Sequence, residues 1–376
     1  MIERGAIRLS TAVMTHPGRL TAARRLCAEL AELRPVIALD TDPGRPDSVA
    51  RNAQRAWAAA DADATHHLVL QDDVTPCPGF APGLLDAVAR RTGDALSLFT
   101  EWGSATSYAV RLAALAGRRW APVIDPYVPT VGLVLPGSAA RAFAACGASL
   151  APQDDVGMGL LLAELGVSAH VAVPNPLEHL GMQSLVGNDF MGERRAALSG
   201  PWAPGPPPAF PHAAPATATA ADAAAEATDL GCDIPYLDTE TGRPMAALYD
   251  DTHRGFTPAP FTAFADRAGV AAHEITRLGE PGRAAVARLR AAGLSGGAQY
   301  VVGGLRCVAF GLGFQAARHG GDPESAADPA ALRTAPQGAL RWVLTSEEIA
   351  AHLGPVTALL TESAAFGARR AAGAMV

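Results

Sequence analysis

The chain has 376 residues, about half of them apolar, which is enough to bury a full core and long enough for two domains. A net charge of -7 and a pI near 5.8 exclude the basic stripe with which a nucleic-acid-binding surface displaces counterions, so nucleic acid is not an expected partner. All thirty basic residues are arginine, which excludes the lysine-dependent chemistries of Walker-type phosphate loops, pyridoxal phosphate enzymes and Schiff-base aldolases.

An anionic ligand must therefore be held by arginine, backbone N–H groups, histidine or a metal. The five cysteines, Cys27, Cys77, Cys146, Cys232 and Cys307, are odd in number and scattered. They suggest neither a disulfide framework nor a thiolate zinc site, and a reducing cytoplasm suits them. Glu3, Arg4 and Arg8 interrupt any signal-peptide core, and no apolar run reads as a membrane span. A cytoplasmic protein is the expectation.

From residue 6 to about 180, short runs of valine, leucine and isoleucine alternate with segments of helical period, the α/β pattern of strands buried between helices. The first strand is AIRLSTAVMT, followed by a helix from Leu20 to Leu33. VIALD makes a second strand, DSVARNAQRAWAAA a helix capped by Asp47, and HLVL a third strand ending at Leu70. A helix over Ala81 to Arg90, a strand ALSLFT, an irregular segment with Trp102 and Tyr127, and a strand VGLVLP lead into a helix at Ser138. A helix from Asp154 to Leu165 and a strand VSAHVAV close the unit. His66 and His67 begin a strand and read as structural.

The expected division is a first domain over 1–198, a proline- and alanine-rich linker over 199–230, and a mainly helical accessory domain over 231–376. Helices are expected at Pro281 to Ala292, Tyr300 to His319, Ser346 to His352 and Pro355 to Ala371. The glycines of GGAQYVVGGLRCVAFGLGF resemble a phosphate loop only superficially. They read as helix packing or a homo-oligomer contact.

The strongest chemical signal is HLVLQDDV, an apolar strand running into Gln71, Asp72 and Asp73. Ligands of open α/β sheets bind at the carboxyl ends of strands, where carboxylates hold hard divalent cations. The alternative is that the pair only turns the chain. A second pair, Asp154 and Asp155 in PQDDVGMG, precedes a helix, where one of them serves equally as an N-cap. Thr15, His16, Gly18 and Arg19 lie at a helix mouth, whose free N–H groups favour anions. Trp102 and Tyr127 offer aromatic faces for a sugar ring or plug gaps between loops.

The order THPGR, Asp40, ARNAQRAW, LVLQDDV, QDDVGMG and PLEHLG over residues 6–190 resembles bacterial glycosyltransferases of the GT-A fold, nearest to families 2 and 25. The resemblance implies a Rossmann-like, doubly wound mixed sheet that transfers a sugar from a nucleotide-diphosphate donor, with inversion. The acceptor is a small molecule, glycan or peptide. It also implies a manganese or magnesium ion on Asp73 and His179, with Asp72 near the ribose or a metal-bound water. Asp155, or else Asp154, is the implied base. Asp40 is implied at the nucleotide's base or ribose, and Arg51 is implied to face the nucleotide. By their position Arg19 is expected at a phosphate and Thr15 or His16 at the nucleotide's base; for each the alternative is a solvated or capping residue. Gln71 departs from the family's acidic triplet, which offers one charged oxygen fewer. Two other readings remain: a GT-A-like binding or scaffolding protein without chemistry, and a sugar nucleotidyltransferase, whose glycine-rich opening and lysine this chain lacks.

Overall fold

The computed structural model describes residues 1–181, 192–202, 230–271, 273–275, 284, 287, 289–291, 293–321 and 329–374. The chain forms two compact units. The first comprises Met1–Thr100, Asp125–Gln183 and Ser199–Gly205, and the second Glu101–Ile124, Ser184–Leu198 and Pro206–Val376.

The first unit is α/β. Its strands β2 (Ile7–Thr15), β3 (Val36–Leu39) and β4 (His66–Gln71) run parallel, with β2 between the other two. β1 (Ile2–Arg4) pairs antiparallel with the start of β2. Next to β4 lies β8 (Gly132–Pro136), antiparallel to it and to β6 (Ala95–Ser97), and β6 pairs parallel with β9 (Ala169–Ala172). The short strand β7 (Trp120–Pro122) falls in the second unit.

Helix α1 (Leu20–Glu29) connects β2 to β3, and α2 (Ser48–Ala58) connects β3 to β4. β2 and β4 are thus neighbours whose onward connections leave in different directions, and a crevice opens at their carboxyl ends. Buried Ala50, Ala53, Ala56 and Trp57 recur at helical period on α2. Trp57 packs edge-on against His67 and Phe143 of α5 (Gly137–Leu150), in a core that includes Leu133, Leu135, Met158 and Leu161. Both nitrogens of His67 are engaged, by Ser10 and by the Ala56 carbonyl. His66 is held by Thr65 and the Thr92 carbonyl, so both histidines are structural as expected.

Several local expectations need correction. The first helix stops at Glu29, because Leu30 leaves the helical region with φ -102 and ψ 29, and a separate 3-10 turn over Ala31–Leu33 ends at Arg34, left-handed with φ 49. Asp47 stands at the N-cap of α2 without capping it, since its carboxylate is taken by Arg45 and Arg51. The ALSLFT strand is paired only over Ala95–Ser97.

An antiparallel pair of short strands, β5 (Val74–Pro76) and β10 (Leu177–His179), was not legible at all. It seats on the sheet through Gly132, where a Cβ would fall 2.2 Å from Leu177 Cδ1. Leu177 is itself fully buried.

The second unit contains a three-stranded antiparallel sheet, Ile234–Asp238, Arg243–Asp250 and Gly255–Pro260, beside its helices. Pro235, Pro244, Pro258 and Pro260 obscure the strand signal there, because proline normally argues against a paired strand. Glu101–Ile124 also belongs to this unit, not to the first as expected. Its helix α4 (Thr106–Leu115) is buried on every face, and Arg111 and Arg118 bond to Thr334 and the His319 carbonyl.

The glycine-rich run is one helix, Gly296–Arg318, and its glycines serve packing. A Cβ on Gly313 would lie 1.9 Å from the Ala364 carbonyl oxygen. This helix is long and apolar enough to cross a membrane by length and composition, and 78% of its apolar window is buried inside the protein, as in a core helix. The two helices expected after residue 346 are a single helix, Ser346–Ala374, running through Pro355. Thr345 and Glu348 cap its start reciprocally.

Most of the expected linker and of the helix expected at Pro281 to Ala292 lie outside the described residues. Trp202, at the linker's start, is buried in the first unit and donates its N–H to the Pro78 carbonyl.

Because Leu177 occupies the space a side chain at residue 132 would need, Gly132→Ala is expected to cost about 1–3 kcal/mol. Chemical denaturation measures this, and an unchanged midpoint would contradict the seating of the strand pair.

Candidate functional site at the strand ends

The crevice between β2 and β4 gathers Thr15, Arg19, Asp72, Asp73 and His179. Thr15 ends β2 and donates its hydroxyl to Asp72 Oδ2 at 2.5 Å. Arg19, in the turn that leads into α1, places Nη1 3.3 Å from Asp72 Oδ1 and 2.6 Å from Asp73 Oδ2. Asp73 is fixed from the far side by the strand pair, whose Leu180 N–H bonds its carbonyl at 2.8 Å. That pairing sets His179 Nε2 3.4 Å from Asp73 Oδ2, with the ring beside Phe99. The sequence reading therefore named five residues that the fold brings together from three separate segments.

All five are largely buried, so electrostatics acts there with little screening. Burial pushes the Asp72 carboxyl up, partly offset by the Thr15 hydroxyl, while neighbouring Asp73 adds to the rise and Arg19 opposes it. Burial works the same way on Asp73, but the hydrogen bond and proximity of His179, followed by Arg19, outweigh it and hold Asp73 below the ordinary carboxylate range. One guanidinium faces two carboxylates, leaving an excess of negative charge.

A divalent cation fits this donor set at one point: Asp73 Oδ1 is buried and has no hydrogen-bond partner among the described residues. His179 fits less directly. Its Nδ1 accepts the Gly181 N–H at 3.1 Å, which leaves the imidazole proton on Nε2, pointing at Asp73. A metal-bound histidine donates from its other nitrogen, so in this arrangement His179 is a donor to Asp73, and ligation requires the tautomer to change.

The second acidic pair stands at the same edge of the sheet. Gln71 N–H bonds the Val131 carbonyl, and the adjacent Thr130 hydroxyl donates to Asp154. Neither aspartate is an N-cap: Gln153 holds that position, and the pair fills the first turn of α6 (Asp154–Leu165). Asp155 Oδ1 accepts the Val156 N–H at 2.8 Å, and its carbonyl accepts from Val128. Burial, then the charge of Asp155, pushes Asp154 up to about 6, the range in which a carboxylate serves as a base near neutral pH. Asp155 is raised too, by burial.

Other expectations fare differently. The N–H groups of Gly18, Arg19 and Leu20 are consumed by His16 Nδ1, the His16 carbonyl and the Pro17 carbonyl, so they are not free for an anion. Asp40 is buried beside Thr15, where its Oδ1 accepts the Asp42 N–H. Arg51 is exposed and paired with Asp47 at 2.6 Å. The α2 side chains at the strand ends are instead Asn52, bonded to the Thr15 carbonyl, and Arg55, bonded to Leu39 O and Thr41. The helical period was the signal that could have found them, since Asn52 and Arg55 share a face with Trp57's neighbour Ala56, one step round from Arg51.

Trp102 is buried in the second unit and Tyr127 is half-buried in the first, so the pair does not form one stacking surface within a unit. No protein-family model matches the chain, and no curated protein does.

The raised Asp154 carboxyl has a signed consequence for stability. A carboxylate whose native pKa exceeds its unfolded value makes the native state bind more protons, so stability is lost as pH rises through the window between about 4 and 6. Asp154→Asn should remove that penalty and raise Tm at pH 7 relative to wild type, with little difference at pH 4. A lower Tm at pH 7 would contradict the cost of ionising this half-buried carboxyl.

Proposed function

We propose that the first unit is a GT-A glycosyltransferase domain that binds a nucleotide-diphosphate sugar at the crevice between β2 and β4 and transfers the sugar to an acceptor hydroxyl with inversion. The observation that supports this reading best is the placement of a buried acidic pair, with one unpartnered carboxylate oxygen, where a parallel α/β sheet changes the direction of its connections. Its acceptor is a small molecule, glycan or peptide hydroxyl.

Asp73 would hold a manganese or magnesium ion through Oδ1, with His179 joining it after the tautomer change. The ion would supply the positive charge that a departing nucleoside diphosphate requires. Asp72, anchored by Thr15, orients the donor. Asp154 takes the proton of the attacking hydroxyl. It is preferred to Asp155 because Thr130 ties its carboxylate to the segment just before β8, beside the end of β4, and because its carboxyl is pushed up to about 6. The proton passes to Asp154 as the new glycosidic bond forms and the bond to the diphosphate breaks.

A second reading, a sugar-nucleotide-binding protein without turnover, draws on Arg19, whose contact with both aspartates already supplies part of the positive charge a metal would bring. Donor hydrolysis or transfer in the presence of manganese separates the two.

On the main reading, a nucleoside diphosphate should stabilise the protein only when a divalent ion is present, by about 2.7 kcal/mol at a hundredfold its Kd. Thermal shift with UDP, GDP, ADP and dTDP, with manganese or with chelator, measures this. An equal shift in chelator would rule out the metal, and Asp73→Asn should abolish the metal-dependent part.

Asp154→Asn should leave donor affinity nearly unchanged while turnover falls about 10²- to 10⁴-fold. Full turnover in that variant together with loss in Asp155→Asn would move the base by one residue. Full turnover in both would end the inverting assignment.

A further inference from the structure

The strand-end cluster opens into a cavity of about 350 Å³ that runs along one face of α1, from Gly18, Arg19 and Asp72 to Arg25 and Glu29. Residues 18, 22, 25, 26 and 29 of its lining recur at helical spacing, and Val74 of β5 and Leu180, just after β10, also line it. The cavity thus continues directly from the acidic pair, with an apolar flank and two guanidiniums. Arg25 was not a candidate on sequence grounds, because nothing in the motif order sets it apart from Arg24.

Three observations single it out. The chain has no lysine, so a phosphate must be held by arginine, by a metal or by N–H groups. The N–H groups of Gly18, Arg19 and Leu20, at the cavity's mouth, are already bonded within their own turn. Arg25 is exposed, lines the cavity and is joined by no ion pair or hydrogen bond to any other described residue, whereas Arg19 must share itself between Asp72 and Asp73. Glu29 lies one turn beyond Arg25, in the arginine-before-glutamate order that pairs less favourably, and no ion pair joins them.

We infer that this groove is an anion-binding site for a diphosphate group, with Arg25 as its dedicated guanidinium and Arg19 as the second, shared one. Guanidinium N–H pairs match phosphate oxygens in geometry as well as charge. The inference rests on the donor reading above for the identity of the natural ligand, while the groove itself is testable with inorganic pyrophosphate. It makes Arg25 a binding residue and leaves the acidic end of the groove, at Glu29, to accept hydroxyl groups.

The experiment is calorimetric titration of inorganic pyrophosphate, and in parallel of UDP, GDP and ADP, all with manganese, into wild type, Arg25→Gln and Arg24→Gln. Arg24 is equally exposed but does not line the groove, so it controls for general loss of charge. Arg25→Gln should weaken pyrophosphate about tenfold or more, and Arg24→Gln by less than twofold. Equal affinities in the two variants would overturn the groove while leaving the donor reading standing. Pyrophosphate binding that depends on Arg25, with no nucleotide bound, would support the groove and overturn the donor reading. No binding of either to wild type would overturn both.

Discussion

The contact between Arg19 and the two aspartates that follow β4 organises the first unit's functional end. Two buried carboxylates side by side repel each other and lose hydration, a combination that a fold tolerates only if donors surround them. Thr15 serves one, His179 the other and Arg19 both. Each donor comes from a different piece of chain, so the pair also ties the end of β2, the turn before α1 and the end of β10 into one arrangement. One oxygen, Asp73 Oδ1, has no hydrogen-bond partner among the described residues, and this is the imbalance on which the proposed cation site rests.

The two-stranded pairing of β5 with β10, which joins distant parts of the chain, is the structural device that makes this possible. It has only three residues in each strand, too few to be stable by itself, so its position comes from tertiary packing. Leu177 fills the space above Gly132, and the next two residues carry the register that delivers His179 to Asp73. A side chain's chemistry at residue 179 thus depends on the absence of one at residue 132.

The lack of lysine shapes the rest. Arginine carries a permanent charge in a planar fork, and it can hold two carboxylates or a phosphate with the same geometry. Arg19 is placed where both partners are in reach. With the neighbouring N–H groups spent in a 3-10 turn, capacity for an anion moves to the side chains along α1. The acidic pair on α6 has less compensation: Asp154, half-buried, receives the Thr130 hydroxyl and local N–H groups, and desolvation together with the Asp155 charge keeps its proton well above the usual carboxylate range.

The sequence by itself determined the α/β character of the first unit, the places of β2, β3, β4, α2 and α6, and the acidic pair at a strand end, because those features depend on local period and on apolar runs that any neighbour would bury. It also indicated that the two histidines opening β4 are structural, and that the glycines of Gly296–Arg318 serve helix packing or an oligomer contact and not a phosphate loop. Tertiary structure alone decided what those elements meet. Arg51 and Arg55 look alike in sequence, yet only Arg55 reaches the strand ends, since one step round a helix separates solvent from sheet. Glu101–Ile124 joins the second unit because α4 is buried on all sides and so shows no amphipathic stripe to read. The three-stranded sheet was hidden by its prolines, and the short strand pair by its length. In each case the deciding interaction joins residues far apart in the chain, and local preference carries no record of it.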